Sequence, residues 1–154
     1  MEDIWLDRYP FKNKPFDHQR KYLERFWKKP VAALFADMGT GKSFMVINNI
    51  AMLYDVGRIN SALIIAPKGV YRNWTDQELP KHLPDHIIHR TALWTPNPRK
   101  AEKAELEKLW EVSDDLKILV MNVEALSTKK GVEYAKRFTM FTKCFMAIDE
   151  STTI

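Results

Sequence analysis

A short segment with two glycines, a lysine and a serine has the residue types that bind a nucleotide phosphate. The segment reads Ala36-Asp-Met-Gly-Thr-Gly-Lys-Ser43, which is a P-loop pattern with alanine in the place of the first glycine. Gly39 and Gly41 let successive backbone N–H groups converge on a phosphate without a side chain in the way. Lys42 would reach the β- and γ-phosphates, and the Ser43 hydroxyl would bind Mg²⁺. The predicted ATP-binding residues are therefore Asp37, Met38, Gly39, Thr40, Gly41, Lys42 and Ser43.

An acidic pair after an apolar run supplies the second part of such a site. Phe145-Met-Ala-Ile148 leads directly into Asp149-Glu150, and an acidic residue at the carboxyl end of a buried strand is where a Walker B aspartate stands. Asp149 would hold Mg²⁺, while Glu150 would orient or deprotonate the water that attacks the γ-phosphate. An acidic turn would be the alternative, but a P-loop in the same chain favours the functional interpretation. The sequence thus predicts Lys42 and Glu150 as catalytic, Ser43 and Asp149 as metal ligands, and ATP and Mg²⁺ as cofactors.

The elements that must position these residues follow from the pattern of apolar runs. Short apolar runs alternate with helical stretches, and near-continuous apolar strands are typical of a parallel sheet covered by helices on both faces. Strands are predicted at 31–36, 61–66, 86–94, 116–121 and 144–148, and helices at 17–28, 42–54, 70–79, 99–111 and 132–138. The fold class is therefore α/β, in which ligands bind outside the carboxyl ends of the strands.

Length, composition and charge limit the class of protein to which this chain can belong. The chain has 154 residues, which suits one ordinary domain, and its single cysteine excludes an internal disulfide or a cysteine-based zinc site. The formal net charge is +4, and residues 1–30 carry eight basic and five acidic side chains. A basic segment can attract a polyanion or be a solvated helix face, so charge does not decide the partner. No apolar run approaches the roughly 20 residues of a membrane helix, and no signal peptide is visible. We therefore expect a cytoplasmic protein without a membrane partner.

Four elements in order resemble the first RecA-like domain of superfamily 2 helicases and translocases. The P-loop and the acidic pair are shared by many ATPases. A more specific resemblance to the Swi/Snf-like branch lies after the second strand, in Pro67, Asn73-Trp74 and Glu78. Asn122-Val-Glu124 resembles a further short element of that branch, with valine replacing an aromatic residue. The resemblance covers about residues 15–152 and suggests a bacterial or phage type. Its motifs are Pro15–Gln19, Asp37–Ser43, Leu63–Pro67 with Trp74 and Glu78, and Asp149–Thr152.

The resemblance implies roles for residues outside the phosphate loop. Gln19 matches the glutamine that contacts the adenine edge; its alternative, from the residues alone, is an exposed polar side chain at the start of a helix. Lys68 and Arg72 match the surface that faces a nucleic-acid backbone, and Asn122 is a further nucleic-acid candidate. Trp74 is expected to pack rather than to stack on a base, because it lies in an amphipathic helix.

The family resemblance also implies a second domain. Superfamily 2 motors bind ATP between two RecA-like domains, and the second domain supplies the arginine finger, which contributes about three to five orders of magnitude in rate. No arginine of residues 1–154 stands in a matching motif, so we expect residues 1–154 to be the N-terminal ATP-binding domain of a longer motor. Taken alone, such a domain should hydrolyse ATP very slowly. The acidic element reads Asp149-Glu-Ser-Thr152, where many relatives have histidine in the fourth position.

Three functions are open at this point. The leading interpretation is an ATP hydrolase that moves along duplex DNA. A strand-separating helicase or restriction-type translocase of the same superfamily is the second. The third is a nucleotide-binding module that never hydrolyses, and the acidic pair Asp149-Glu150 counts against it for the complete protein.

Overall fold

The computed structural model describes residues 6–28, the backbone of 31–34, and residues 42–149. The strands are β1 Val31–Leu34, β2 Ser61–Ala66, β3 His89–Leu93, β4 Leu116–Asn122 and β5 Cys144–Asp149. The helices are α1 Asp17–Phe26, α2 Lys42–Asp55, α3 Tyr71–Asn73, α4 Leu79–His82, α5 Lys100–Lys108 and α6 Lys129–Phe141. A π-helical turn, Trp74–Glu78, joins α3 to α4, and a 3₁₀ helix, Val123–Ser127, follows β4.

The five strands form one sheet in the order β1-β5-β2-β4-β3, and every neighbouring pair is parallel. The apolar runs dictate this arrangement, because a strand buried on both faces needs apolar residues at consecutive positions. All six residues of β2 and all seven of β4 are buried. The predicted α/β fold with a parallel sheet is confirmed.

Helices cover the two faces of the sheet and create two cores. Alternate residues of one strand point to opposite faces. Ala62 and Ile64 of β2 pack in the core beneath α1, α2 and the segment from α3 to α4, while Leu63 and Ile65 pack in the core beneath α5 and α6. This layering fixes the sheet and leaves its carboxyl edge to carry the loops that follow the strands.

The predicted bounds of several elements need correction. The third strand is His89–Leu93 rather than 86–94, and the last helix is Lys129–Phe141 rather than 132–138. That helix starts early because the Thr128 hydroxyl accepts a hydrogen bond from the Gly131 N–H at 3.1 Å, which caps the first turn.

The helix predicted at 70–79 passes through Pro80 and ends at His82. Proline has no N–H, so it cannot bond the carbonyl of Asp76 four residues earlier. The turn just before it widens into π-helix, in which the Leu79 N–H bonds the Trp74 carbonyl five residues back. The proline thus reshapes this helix rather than ending it.

Within the described part of the chain, no helix combines the length and the apolar character that crossing a bilayer requires.

Candidate functional site

Lys42 and Ser43 of the predicted phosphate loop lie near Asp149 of the predicted metal site because β1 and β5 are neighbouring strands. β1 pairs with β5, and Leu34 is the register partner of Asp149. The chain therefore leaves β1 beside the acidic end of β5, and α2 begins at Lys42 on the same edge. Residues 107 positions apart in the chain come together in this way.

The centre of the site is a buried ion pair. Lys42 Nζ donates to Asp149 Oδ1 at 3.1 Å, and the two residues are 3% and 7% exposed. Burying two charges costs several kcal/mol of solvation for each ion, which is repaid only when the pair has good geometry and further hydrogen bonds. A buried pair at this position therefore fits a site in which the lysine exchanges its carboxylate for a phosphate.

Trp74 makes the second contact to the same carboxylate. Its indole Nε1 donates to Asp149 Oδ2 at 3.2 Å, so each oxygen of Asp149 accepts from a different element. Trp74 is 2% exposed, which agrees with the packing role predicted for it. The contact to Asp149 is an addition that the sequence pattern did not predict.

Glu78 brings a second carboxylate to the site from the same helical segment. The pKa of Glu78 is lowered, chiefly by a hydrogen bond with His82. The charges of His82 and Lys81 and a hydrogen bond with the Ser43 hydroxyl also lower this pKa, whereas burial raises it. His82 Nε2 lies 3.5 Å from Glu78 Oε2. The described residues that line the small cavity between the segments are Lys42, Ser43, Val70, Asn73, Trp74, Glu78 and Asp149.

The donors around this cavity suit Mg²⁺. Carboxylate and hydroxyl oxygens are the ligands that this hard cation prefers, and both Asp149 and Ser43 line the cavity. The Lys42 ammonium at 3.1 Å shows that the Asp149 carboxylate accommodates a cation. The cavity measures about 40 Å³, which is room for about three waters, and Mg²⁺ usually keeps several of its own. The residues present therefore fit the metal.

Several predicted site residues lie outside the described residues. These are Asp37, Met38, Gly39, Thr40, Gly41 and Glu150. Their roles in binding phosphate and in orienting water stay predictions.

Gln19 lies in the first turn of α1, a helix that packs against α2. It is 4% exposed, so the alternative of an exposed polar side chain is wrong. Its Oε1 accepts a hydrogen bond from the Phe16 N–H at 2.8 Å, which caps the helix. The role of Gln19 at the adenine edge stays a prediction.

The three predicted nucleic-acid residues share one groove at the other half of the sheet edge. Lys68 follows β2 and Arg72 lies in α3, and both are exposed. Asn122 ends β4, next to Ala66 at the end of β2. The groove has a volume of about 320 Å³ and is lined by Lys68, Tyr71, Arg72, Trp94, Thr95, Pro96, Asn122, Glu124, Ala125 and Thr128.

Within the groove, the side chain of Asn122 stabilises the 3₁₀ helix that follows β4. It is 7% exposed, and its Oδ1 accepts a hydrogen bond from the Ala125 N–H at 2.8 Å, which caps the 3₁₀ helix. Arg72 is exposed, lies 5.6 Å above the Tyr71 ring and is 3.7 Å from Glu102. Lys68 and Arg72 are thus placed to contact a polyanion, whereas Asn122 shapes the groove.

Comparison with known proteins places the fold. No family model matches the sequence. The DNA excision repair protein ERCC-6-like of Danio rerio is 27% identical over 95 residues, which are 58% of this chain and 6% of that protein. The Sulfolobus solfataricus SWI2/SNF2 ATPase core in complex with dsDNA superposes with a TM-score of 0.57 at 19% identity, over 95% of this chain and 33% of that one. The chain shares its α/β fold with part of that structure. It spans a third of that core and a small part of the curated relative.

Trp74 and Glu78 both reach the site, and their spacing along the chain is a signal for this. Both belong to the motif that resembles the Swi/Snf-like branch, in which Trp74 is expected to pack. Their spacing of four positions places both on one face of a helix. An indole and a carboxylate on one face, following a strand of the sheet, can point at the carboxyl edge, but only the folded chain shows that they reach Asp149 and Ser43.

Proposed function

We propose that this chain is the ATP-binding domain of a DNA-dependent ATPase that couples hydrolysis to movement along duplex DNA. The contact between Lys42 and Asp149 is the observation that supports it most directly. It joins the end of the phosphate loop to the predicted metal carboxylate across neighbouring strands of a RecA-like sheet.

Each residue of the pair has a distinct task in this reaction. Lys42 turns from Asp149 to the β- and γ-phosphates when ATP binds, and Asp149 and Ser43 are the residues that would hold Mg²⁺. When bound, Mg²⁺ would neutralise charge on the phosphate oxygens. Glu150 orients a water in line with the γ-phosphate and accepts its proton, so the products are ADP and inorganic phosphate. These steps need no covalent intermediate on the protein, because phosphoryl transfer relies on positioning and charge.

The groove at β2, β4 and β3 is proposed as the surface for the DNA backbone. Lys68 and Arg72 supply two exposed cations at its rim, and phosphate contacts of this kind position a protein on DNA without reading its sequence. The Sulfolobus solfataricus core is described as bound to dsDNA, which favours duplex over single strands.

We propose further that a second RecA-like domain completes the ATP site in the whole protein. The superposition covers a third of the Sulfolobus solfataricus core, which agrees with one domain of such an assembly. The arginine finger would come from that second domain, so the present chain should bind Mg-ATP and hydrolyse it very slowly.

The phosphate-loop assignment is tested by nucleotide affinity. Lys42→Ala should weaken the binding of a fluorescent ATP analogue at least tenfold, while Lys68→Ala, in the groove, should leave that affinity unchanged. An unchanged affinity in Lys42→Ala would refute the assignment. Measured on the full-length protein, ATP hydrolysis stimulated by duplex DNA without strand displacement supports the translocase, and strand displacement supports a helicase instead.

A further inference from the structure

One helical segment of this chain reaches both halves of the sheet edge. It follows β2, the central strand, which lies between β5 on the nucleotide side and β4 on the groove side. Tyr71 and Arg72 at its start line the groove, and Trp74 and Glu78 in its π-helical turn line the cavity with Lys42. Arg72 and Trp74 are two positions apart, so one continuous helical segment lines both surfaces.

The contact of Trp74 with Asp149 joins a buried donor to one specific acceptor. A buried indole N–H needs a hydrogen-bond partner, and the Nε1 of Trp74 finds it in Oδ2 of the predicted metal ligand, at 3.2 Å. A hydrogen bond to a charged carboxylate is stronger than one between two neutral groups. It also fixes the rotation of the carboxylate, because Oδ1 then faces Lys42.

We propose that Trp74 is a positioning residue for the metal carboxylate of this ATPase. By holding Oδ2, it keeps Oδ1 directed into the cavity that Lys42 and Ser43 line, where Mg²⁺ would bind. Residues that orient a metal ligand in this way usually contribute 10- to 100-fold to metal affinity. The inference rests on the proposed function, since Asp149 is a metal ligand only if the chain binds Mg-ATP.

The same segment brings a second side chain to the cavity. Glu78 lines it together with Ser43, as Trp74 does with Asp149. Each predicted metal ligand therefore has a neighbour from the segment that carries Arg72.

The first test measures how much Mg²⁺ is needed for tight nucleotide binding. Trp74→Phe removes the N–H donor and keeps most of the ring. We expect it to raise the Mg²⁺ concentration for half-maximal binding of a fluorescent ATP analogue about tenfold, and to leave the affinity measured in EDTA unchanged. The matched control is Trp110→Phe, which also removes an indole hydrogen bond, from Nε1 to the Tyr134 hydroxyl at 3.1 Å on the other layer. Its Mg²⁺ requirement should equal that of the parent.

Two results would overturn the proposal. An unchanged Mg²⁺ requirement in Trp74→Phe would show that the indole does not position Asp149. An equal loss of affinity with and without Mg²⁺ would show that Trp74 only supports the fold. A parent chain that binds no nucleotide would instead refute the proposed function.

A second measurement tests the contact between Trp74 and Asp149 without any nucleotide. In a ¹H–¹⁵N spectrum of the parent, the chain's five tryptophans give separate indole N–H signals. Asp149→Asn should shift one of them strongly and the others little, and the spectrum of Trp74→Phe, in which the Trp74 signal is missing, identifies that signal. A Trp74 signal that does not move would contradict the contact on which the proposal rests.

Discussion

The two halves of the sheet edge differ in how they hold their positive charges. On the β1–β5 side, Lys42 is buried and bonded to a buried carboxylate. On the β4–β3 side, Lys68 and Arg72 are exposed, and Arg72 lies 3.7 Å from Glu102. A buried charge interacts strongly with a specific partner, whereas exposed charges act weakly, collectively and in a salt-dependent way.

This difference matches the two ligands proposed here. A nucleotide phosphate is a small ion that must be held in one geometry, which a buried lysine can provide. A DNA backbone is a long polyanion that must slide, and exposed cations bind it without fixing one register. Burial, rather than the number of charges, thus distinguishes the proposed nucleotide site from the proposed DNA surface.

The largest effect is expected on the buried side, when Lys42 is removed from its ion pair. Lys42→Ala leaves the buried Asp149 carboxylate facing a methyl group, and removing one partner of a buried ion pair typically destabilises a protein by 3 to 5 kcal/mol. We expect the free energy of unfolding in urea to fall by about 3 kcal/mol. Lys68→Ala should change it by less than about 0.5 kcal/mol, since it removes an exposed charge.

A double variant separates the charge from the side chain. Lys42→Met combined with Asp149→Asn removes both charges and keeps an oxygen for the Trp74 indole. Neutral replacement of a buried pair is often harmless or stabilising, so the free energy of unfolding should return to within about 1 kcal/mol of the parent. A double variant as unstable as Lys42→Ala would mean that the loss comes from packing.

The next effect concerns the exposed side. Lys68→Ala and Arg72→Ala should each weaken duplex DNA binding, and each should lower the slope of log affinity against log salt by about 1, the value expected for one lost phosphate contact. Lys143→Ala is the control, because Lys143 is exposed just before β5, at the opposite edge of the sheet. A salt slope that stays the same in both groove variants would show that the DNA backbone binds elsewhere.

The central strands of this fold could be predicted from the sequence because strands buried on both faces are apolar at nearly every position. Strand 61–66 was predicted with its correct bounds, and strands 116–121 and 144–148 fell one residue short. These strands are apolar at nearly every position, which a parallel sheet requires. The helix ends were less predictable, since they depend on single contacts such as the Thr128 cap and on how the helix accommodates Pro80.

The site divides in the same way. Lys42, Ser43 and Asp149 line one cavity, and a motif joins their residue types to positions along the chain; their roles stay predictions. The contact of Asn122 with a nucleic acid also stays a prediction, and its side chain caps a helix, which the motif did not indicate. Trp74 could not be connected to Asp149 from the sequence, because the two residues lie 75 positions apart and no periodicity links them. Contacts of this kind depend on strand order and on the exact turn of a helix.

The smallest effect is expected from Glu78, which lies in the helical segment between the two halves of the sheet edge. The pKa of Glu78 is lowered, chiefly by its hydrogen bond with His82. A carboxyl group with a lowered pKa in the folded state stabilises the protein above its usual pKa of about 4.5, and this stabilisation is lost as the pH falls through the folded-state pKa. Because Glu78 is partly exposed, we expect Glu78→Gln to cost less than about 1 kcal/mol at pH 7, and the difference from the parent to shrink below pH 4.5. Glu107→Gln, an exposed position on α5, should show no such trend in urea unfolding measured from pH 7 to pH 4. A Glu78→Gln difference that stays constant over this range would assign the effect to lost packing instead of charge, and would place Glu78 with the apolar support of the segment rather than with its buried polar site.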